Sequence, residues 1–228
     1  MNRDFLDEEE RILLTTVRDF AREVLAPRAA AYDRSEEFPW DNMKGIAELG
    51  LLGLTIDEKY GGAGGTTRQL ALVVQEIAKA CASTSVIYIA HLSLCTQFIN
   101  MFGKESQKAK YIPSLVSGKK IGAFALTEPG AGSDVAAIET SSREDGEIFI
   151  LNGTKTYISN APEADVIITL VMNDREGGHK SIDALIVDGG LEGMKVNKIT
   201  GKMGVRASTV GEIIFEDCPV PTSNMMNG

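Results

Sequence analysis

The stretch Phe124-Ala-Leu-Thr-Glu-Pro-Gly-Ala-Gly-Ser-Asp134 sets an apolar, strand-like run against a threonine, a glutamate, a proline and two glycines that flank an alanine. Small residues after a strand let backbone N–H groups approach an anion closely, and the hydroxyls of Thr127 and Ser133 add donors. The chemistry within reach is the holding of a phosphate or another anionic group. A glycine turn joining two strands has the same spelling, and spacing alone leaves both readings open. A second stretch, Asn-Gly-Thr-Lys-Thr-Tyr-Ile-Ser-Asn at 152–160, adds a clue. With the two-residue period of a strand, Lys155, Tyr157 and Ser159 share one face, and Thr156 and Ile158 the other. A ring and a hydroxyl two residues apart, beside an anion-binding turn, can hold a flat heteroaromatic group by stacking and one hydrogen bond. An ordinary strand face carrying Tyr and Ser reads the same way.

The more conspicuous glycine cluster, Tyr60-Gly-Gly-Ala-Gly-Gly65, follows no strand pattern and precedes no Lys-Ser/Thr. Lacking both contexts of a P-loop or dinucleotide fingerprint, it reads as an interhelical connection. Cys81, Cys95 and Cys218 are odd in number and without C-x-x-C spacing, and the histidines are His91 and His179. That inventory argues against a disulfide framework and against zinc, so no metal ligand is assigned. His91 lies in an apolar stretch and reads as a satisfied core histidine rather than half of a Cys–His pair.

Lys and Arg number 23 against 32 Asp and Glu, a net charge of -9, with no basic run to neutralise a phosphate backbone. Nucleic acid is therefore not an expected partner. The 228 residues are 43% hydrophobic, and no run approaches the roughly 18 apolar residues of a membrane span. The acidic start resembles neither a secretory signal nor a transit peptide, so a cytoplasmic location is expected.

The elements that must position these residues change period near residue 119. From Asp7, Leu13, Val17, Phe20 and Val24 recur at helical spacing, with Asp7 and Glu10 as a capping pair. Further helices are predicted from Pro39 to Gly50, Thr67 to Ala82, Thr84 to Phe102 and Ser106 to Val116. After Lys119, short runs rich in Ile, Val, Thr and Phe alternate with turn dipeptides. Asp145-Gly146 and Asn152-Gly153 predict two hairpins and three antiparallel strands, Ile138–Glu144, Glu147–Leu151 and Thr154–Ser159. Others are expected at Ile121–Leu126, Val166–Met172, Ile182–Val187 and Glu212–Glu216. The fold class is α+β: an all-helical N-terminal domain (1–118), then an antiparallel β-barrel or sandwich-like domain (119–228) carrying the glycine loop.

The sequence resembles the acyl-CoA dehydrogenase family, flavoproteins that introduce a 2,3 double bond into acyl-CoA thioesters. The resemblance rests on Phe124–Asp134, Asn152–Asn160, Lys-Met-Gly-Val-Arg-Ala-Ser at 202–208 and Ile-Phe-Glu-Asp-Cys-Pro-Val-Pro at 214–221. Glu-Leu-Gly-Leu-Leu-Gly-Leu at 48–54 and Tyr-Gly-Gly-Ala-Gly at 60–64 add to it. It covers essentially the whole chain, in motif order, and is nearest in look to bacterial short-chain, butyryl-CoA dehydrogenases.

The resemblance implies that Phe124, Ala125, Leu126, Thr127, Gly132 and Ser133 contact FAD through backbone groups and the two hydroxyls. Tyr157, Ile158 and Ser159 would flank the isoalloxazine ring, and Ser133 would also touch the substrate. Relatives often carry Trp at the place of Tyr157, Thr at that of Ser159, and Thr where Val210 stands. The family's catalytic glutamate lies in a C-terminal helical bundle with no counterpart here. The expectation is therefore a truncated chain with no catalytic residue, inactive alone, and with Glu128 structural. Implied partners are acyl-CoA, an electron-transfer flavoprotein, and further copies in a homotetramer or homodimer of the full-length enzyme. The helix near Thr84–Phe102 would wall the acyl cavity, where Tyr88, Ile89 and Leu92 point to a short acyl group. Alternatives are an acyl-CoA oxidase or flavin monooxygenase relative, and a non-catalytic module that binds acyl-CoA or a partner.

Overall fold

Asp7 starts the first helix through the reciprocal bonds that its neighbours predict: Glu10 N–H donates to Asp7 Oδ1 at 2.8 Å and Asp7 N–H to Glu10 Oε2 at 3.2 Å. The computed structural model describes residues 6–173 and 181–226, so His179 lies outside the described residues. Helix α1 (Glu8–Phe20) runs through a π-helical turn at Ala21–Leu25 into α2 (Ala26–Ser35), burying Leu14, Val17, Ala21 and Leu25 at three- and four-residue steps. Then come α3 (Trp40–Glu48), α4 (Thr67–Ala80), α5 (Ala82–Ile89), α6 (Gln97–Phe102) and α7 (Glu105–Val116). Another π-helical segment, Ala90–Thr96, joins α5 to α6.

The stretch Ala82–Phe102 is long and apolar enough to cross a membrane, with a mean hydropathy of 1.3, although polar residues such as Ser83, Ser85, His91 and Gln97 interrupt it. Half of its apolar window is buried inside the protein, and Tyr88, His91, Leu92, Cys95 and Ile99 are core residues. It is the central helix of the helical half. Tyr88 and Leu92, which the sequence placed on an acyl cavity, are wholly buried, and the Tyr88 hydroxyl donates to the Leu51 carbonyl at 2.9 Å. The exposed apolar side chains of this stretch are Val86, Leu94, Met101 and Phe102.

Among the described residues the second half forms a seven-stranded sheet: β1 (Gly122–Ala125), β2 (Ser141–Asp145), β3 (Ile148–Ser159), β4 (Val166–Met172), β5 (Ile182–Asp188), β6 (Met194–Ile199) and β7 (Val210–Pro221). The order β1-β4-β2-β3-β7-β6, with β5 on β4, is mixed rather than purely antiparallel, because β4 runs parallel to β1 and, through Met172, to Ser141 at the start of β2. Along β4 the side chains alternate: Val166 and Ile168 pack into the helical core, while Ile167 and Val171 enter a second core with Ala123, Ala125, Leu151, Ile213 and Phe215. The larger core thus joins helices and sheet.

The expected second hairpin does not form. Asn152-Gly153 lies inside β3, which pairs along its length with the twelve-residue β7 and shifts register between Leu151 and Gly153. The signal is absorbed as a bulge. Gly153 has φ +148, and a Cβ there would stand 2.6 Å from Thr140 Cα, while Asn152 Nδ2 donates to Asp217 Oδ1 at 3.0 Å. The three expected strands are therefore two, β2 and β3, and β6 was not foreseen.

Candidate functional site

Strand β1 brings Phe124 and Ala125 opposite Ile168 and Thr169 of β4. Ala125 is buried in the inner core, and the half-buried Phe124 ring lies 5.4 Å from that of Phe98, tilted by 58°. Beyond Ala125 the chain leaves the sheet. Glu128 and Ala131 exchange backbone hydrogen bonds at 2.8 and 3.1 Å, so Pro129 and Gly130 form an exposed turn tip, and Gly132 and Ser133 follow it in the open. A Cβ at Gly130 or Gly132 would meet nothing within 4 Å. Packing within the chain does not demand glycine at either position.

The loop is tied to β3 from beneath. Thr156 N–H donates to the Thr127 carbonyl at 2.8 Å, and Lys155 Nζ donates to the Leu126 carbonyl at 3.1 Å and to Glu128 Oε1 at 2.8 Å. Glu128 also accepts the amides of Glu139 at 2.6 Å and Thr140 at 3.0 Å. The side chains of this ion pair are 0% and 5% exposed. Burial pushes the Glu128 carboxyl up, but the bonds from Lys155, Thr140 and Glu139 outweigh it and hold it below the ordinary glutamate range. Burial holds the Lys155 ammonium below its usual value against the opposing pull of Glu128. Glu128 is held in this buried pair, and Lys155 is the residue that sequence reasoning left without a role.

The expected alternation of Lys155, Tyr157 and Ser159 on one face does not hold. The β3–β7 register shifts between Lys155 and Ile158, and Tyr157 takes φ +57. This bulge leaves Lys155 and Ile158 buried and turns Tyr157 outward, 70% exposed, with Ser159 half-buried. A non-glycine residue in the left-handed region costs roughly 1–3 kcal/mol, and such positions cluster at binding sites. The hydroxyls of Thr127, Ser133, Tyr157 and Ser159 have no hydrogen-bond partner among the described residues.

Behind the site, β1 and β3 are anchored to the helices. Asn160, at φ +66, donates from Nδ2 to the carbonyls of Ile87 at 3.2 Å and Gly122 at 3.1 Å. His91 is fully buried and bonded on both ring nitrogens, which fits the core reading. The segment 202–208 reaches back to the end of α2, where Arg206 Nη2 lies 2.5 Å from Glu36 Oε1 and its amide donates to Asp33 Oδ1 at 3.1 Å. Buried Ser208 Oγ has no partner among the described residues. Burial pushes the Cys95 thiol up to about 12 and the Cys218 thiol to about 11, so neither is a thiolate near neutral pH. The Tyr60–Gly65 cluster connects helices, with the Tyr60 hydroxyl donating to Glu105 Oε2 at 2.8 Å.

Two family descriptions match the chain: the acyl-CoA dehydrogenase N-terminal domain over residues 7–119 and the acyl-CoA dehydrogenase middle domain over residues 123–218. The short-chain specific acyl-CoA dehydrogenase of Clostridium acetobutylicum is 41% identical over 221 residues, 97% of this chain and 58% of that protein. A structure described as the electron transferring flavoprotein of Acidaminococcus fermentans superposes with a TM-score of 0.95 at 36% identity, over 100% of this chain and 60% of that one. A glutaryl-CoA dehydrogenase from Mycobacterium smegmatis in complex with FADH2 gives 0.91 at 32% identity, over 96% of this chain and 55% of that one. The chain thus spans somewhat more than half the length of the relatives it matches.

Proposed function

The chain belongs to the acyl-CoA dehydrogenase family, matched through that family's N-terminal and middle domains, and we propose that its residues 124–133 and 157–159 hold FAD in a cytoplasmic enzyme that oxidises short-chain acyl-CoA thioesters to 2,3-enoyl-CoA. The observation that carries this reading is the Tyr157 ring, held outward in a left-handed bulge beside a loop whose glycines face open space. The residues fit a flavin nucleotide: an exposed ring for stacking, unpartnered hydroxyls on Thr127, Ser133 and Ser159 as donors, and a small-residue loop open to a close-lying ligand. Similarity to a short-chain dehydrogenase and to an FADH2 complex supports the substrate class and the cofactor.

When bound, the flavin supplies the hydride acceptor. The chain's own part is to place and polarise. Backbone groups of Phe124–Thr127 and the Thr127 hydroxyl would face the ring's electron-accepting side, where donors stabilise the charge that accumulates there. Tyr157, Ile158 and Ser159 would fix the plane of the ring, and Ser133 would serve both ligands, so that thioester and flavin meet in near-attack geometry. Glu128 is not assigned the substrate's α-proton, since its buried Oε1 accepts from Lys155 and the Thr140 amide and its Oε2 from the Glu139 amide. We assign that proton transfer to no residue described here. Likeness to the electron transferring flavoprotein structure supports such a protein as the electron acceptor, and a homotetramer or homodimer is the assembly we propose for the whole enzyme.

The test is anaerobic reduction of the full-length natural protein by butyryl-CoA, followed as loss of the visible flavin band. Bleaching on addition of substrate is the expected result. A protein that takes up no FAD would end this reading.

A further inference from the structure

The surface that carries the exposed ring and hydroxyls is held from below by one buried ion pair, and we infer that Lys155 and Glu128 are the positioning pair of the flavin site. In this role they fix the loop that carries Thr127 and Ser133 against the bulge that presents Tyr157. The inference rests on the flavin reading above.

Three features converge on the pair. The Lys155 ammonium reaches the entry of the loop at the Leu126 carbonyl, 3.1 Å away, and Glu128 itself, 2.8 Å away. The Glu128 carboxylate collects the amides of Glu139 and Thr140, which close the loop at its far end. The two ends of the 126–140 segment therefore meet one ion pair, Leu126 at its ammonium and Glu139 and Thr140 at its carboxylate, and the exposed part takes its position from those ends. Lys155 also stands directly before the bulge, two residues from Tyr157 and next to Thr156, whose amide donates to Thr127.

Stability alone does not explain the pair. Well-packed apolar side chains of equal volume often serve a core as well as a buried ion pair does. Here they would leave the Leu126 carbonyl and the Glu139 and Thr140 amides without their present partners, and would give the loop no fixed angle to β3. Charged hydrogen bonds in a dry site are short and directional, which suits a part whose task is geometry.

The experiment is a double-mutant cycle on FAD affinity in the full-length natural protein, stripped of flavin and titrated with FAD at a temperature where far-UV circular dichroism shows every variant folded. Lys155→Met is expected to raise the Kd roughly tenfold and to alter the visible circular dichroism of the bound flavin. In a Tyr157→Ala background the same substitution should cost about threefold or less, because the ring it positions is gone. Glu128→Gln, which keeps the side chain's size and one acceptor oxygen, should weaken binding by a lesser factor, and it carries the test if Lys155→Met does not fold. Wild-type Kd and flavin spectra in the variants, or equal losses in both backgrounds, would overturn the positioning role while leaving the flavin reading intact. A wild-type protein that binds no FAD would overturn both.

Discussion

His91 Nδ1 accepts the Gly122 amide at 3.1 Å while its Nε2 lies 3.1 Å from the Leu115 carbonyl, so one imidazole joins the central helix of the helical half to the first strand of the sheet and to α7. Only the neutral ring protonated at Nε2 satisfies both partners.

That constraint sets a pH dependence. Burial lowers the His91 pKa from 6.5 to about 4, against a smaller upward pull from the Leu115 carbonyl. The unfolded chain therefore binds a proton that the folded chain refuses between those values. The histidine's contribution is full above pH 6.5 and declines as pH falls towards 4, by on the order of 3 kcal/mol. Urea unfolding of wild type and His91→Gln between pH 4 and 7 measures it. The variant should be less stable at pH 7 and show a shallower fall below pH 6.5; equal pH slopes would dismiss the assignment.

Asn160 makes a sharper demand. Its side-chain amide donates to two buried carbonyls, those of Ile87 and Gly122. Asn160→Asp keeps the shape and sets a carboxylate against two acceptors, which should cost about 3 kcal/mol or more, or force the group to stay protonated. A melting temperature within a degree or two of wild type would contradict this.

Ser133 is exposed and its hydroxyl has no partner among the described residues. Ser133→Ala in the full-length protein should leave the melting temperature unchanged and weaken FAD or acyl-CoA binding by roughly 1–2 kcal/mol, the scale of a hydrogen bond to a charged group. Titration calorimetry with each ligand decides it, and unchanged affinity for both removes Ser133 from the site.

Tyr157 separates affinity from stability in the same way. Its ring is 70% exposed, so Tyr157→Ala should move the stability of the flavin-free protein by no more than about 0.5 kcal/mol. FAD retention should fall and the flavin absorption band shift, whereas Tyr157→Trp, which keeps an aromatic face, should preserve both. An Ala variant with unchanged flavin content and spectrum would refute stacking.

Much of this was legible in the chain. The helices followed from apolar spacing and the Asp7–Glu10 cap, and four strands, β1, β2, β4 and β5, from runs of β-branched and other apolar residues between turn signals. The candidate site stretches stood out as small and hydroxyl residues after a strand, a spelling they share with a plain glycine turn. What the sequence concealed was set by partners distant along the chain. Asn152-Gly153 spells a hairpin, but its place opposite β7 made it a bulge. Lys155 looked like one member of an exposed face because period-two reasoning does not see the second bulge, which buries it on Glu128, 27 residues earlier. The resemblance set Tyr88, Ile89 and Leu92 on the wall of an acyl cavity, and the burial of Tyr88 and Leu92 is a placement that apolar spacing alone does not distinguish from a ligand-facing one.

The central claim is that the 124–133 loop and the bulged strand end form the flavin site, and amide hydrogen exchange with and without FAD tests it where it stands. In the full-length natural protein, peptides covering 124–134 and 154–160 should exchange more slowly once FAD is added, since a bound cofactor shields backbone groups and suppresses local opening. Unchanged exchange in both segments, with protection appearing elsewhere in the chain, would contradict it.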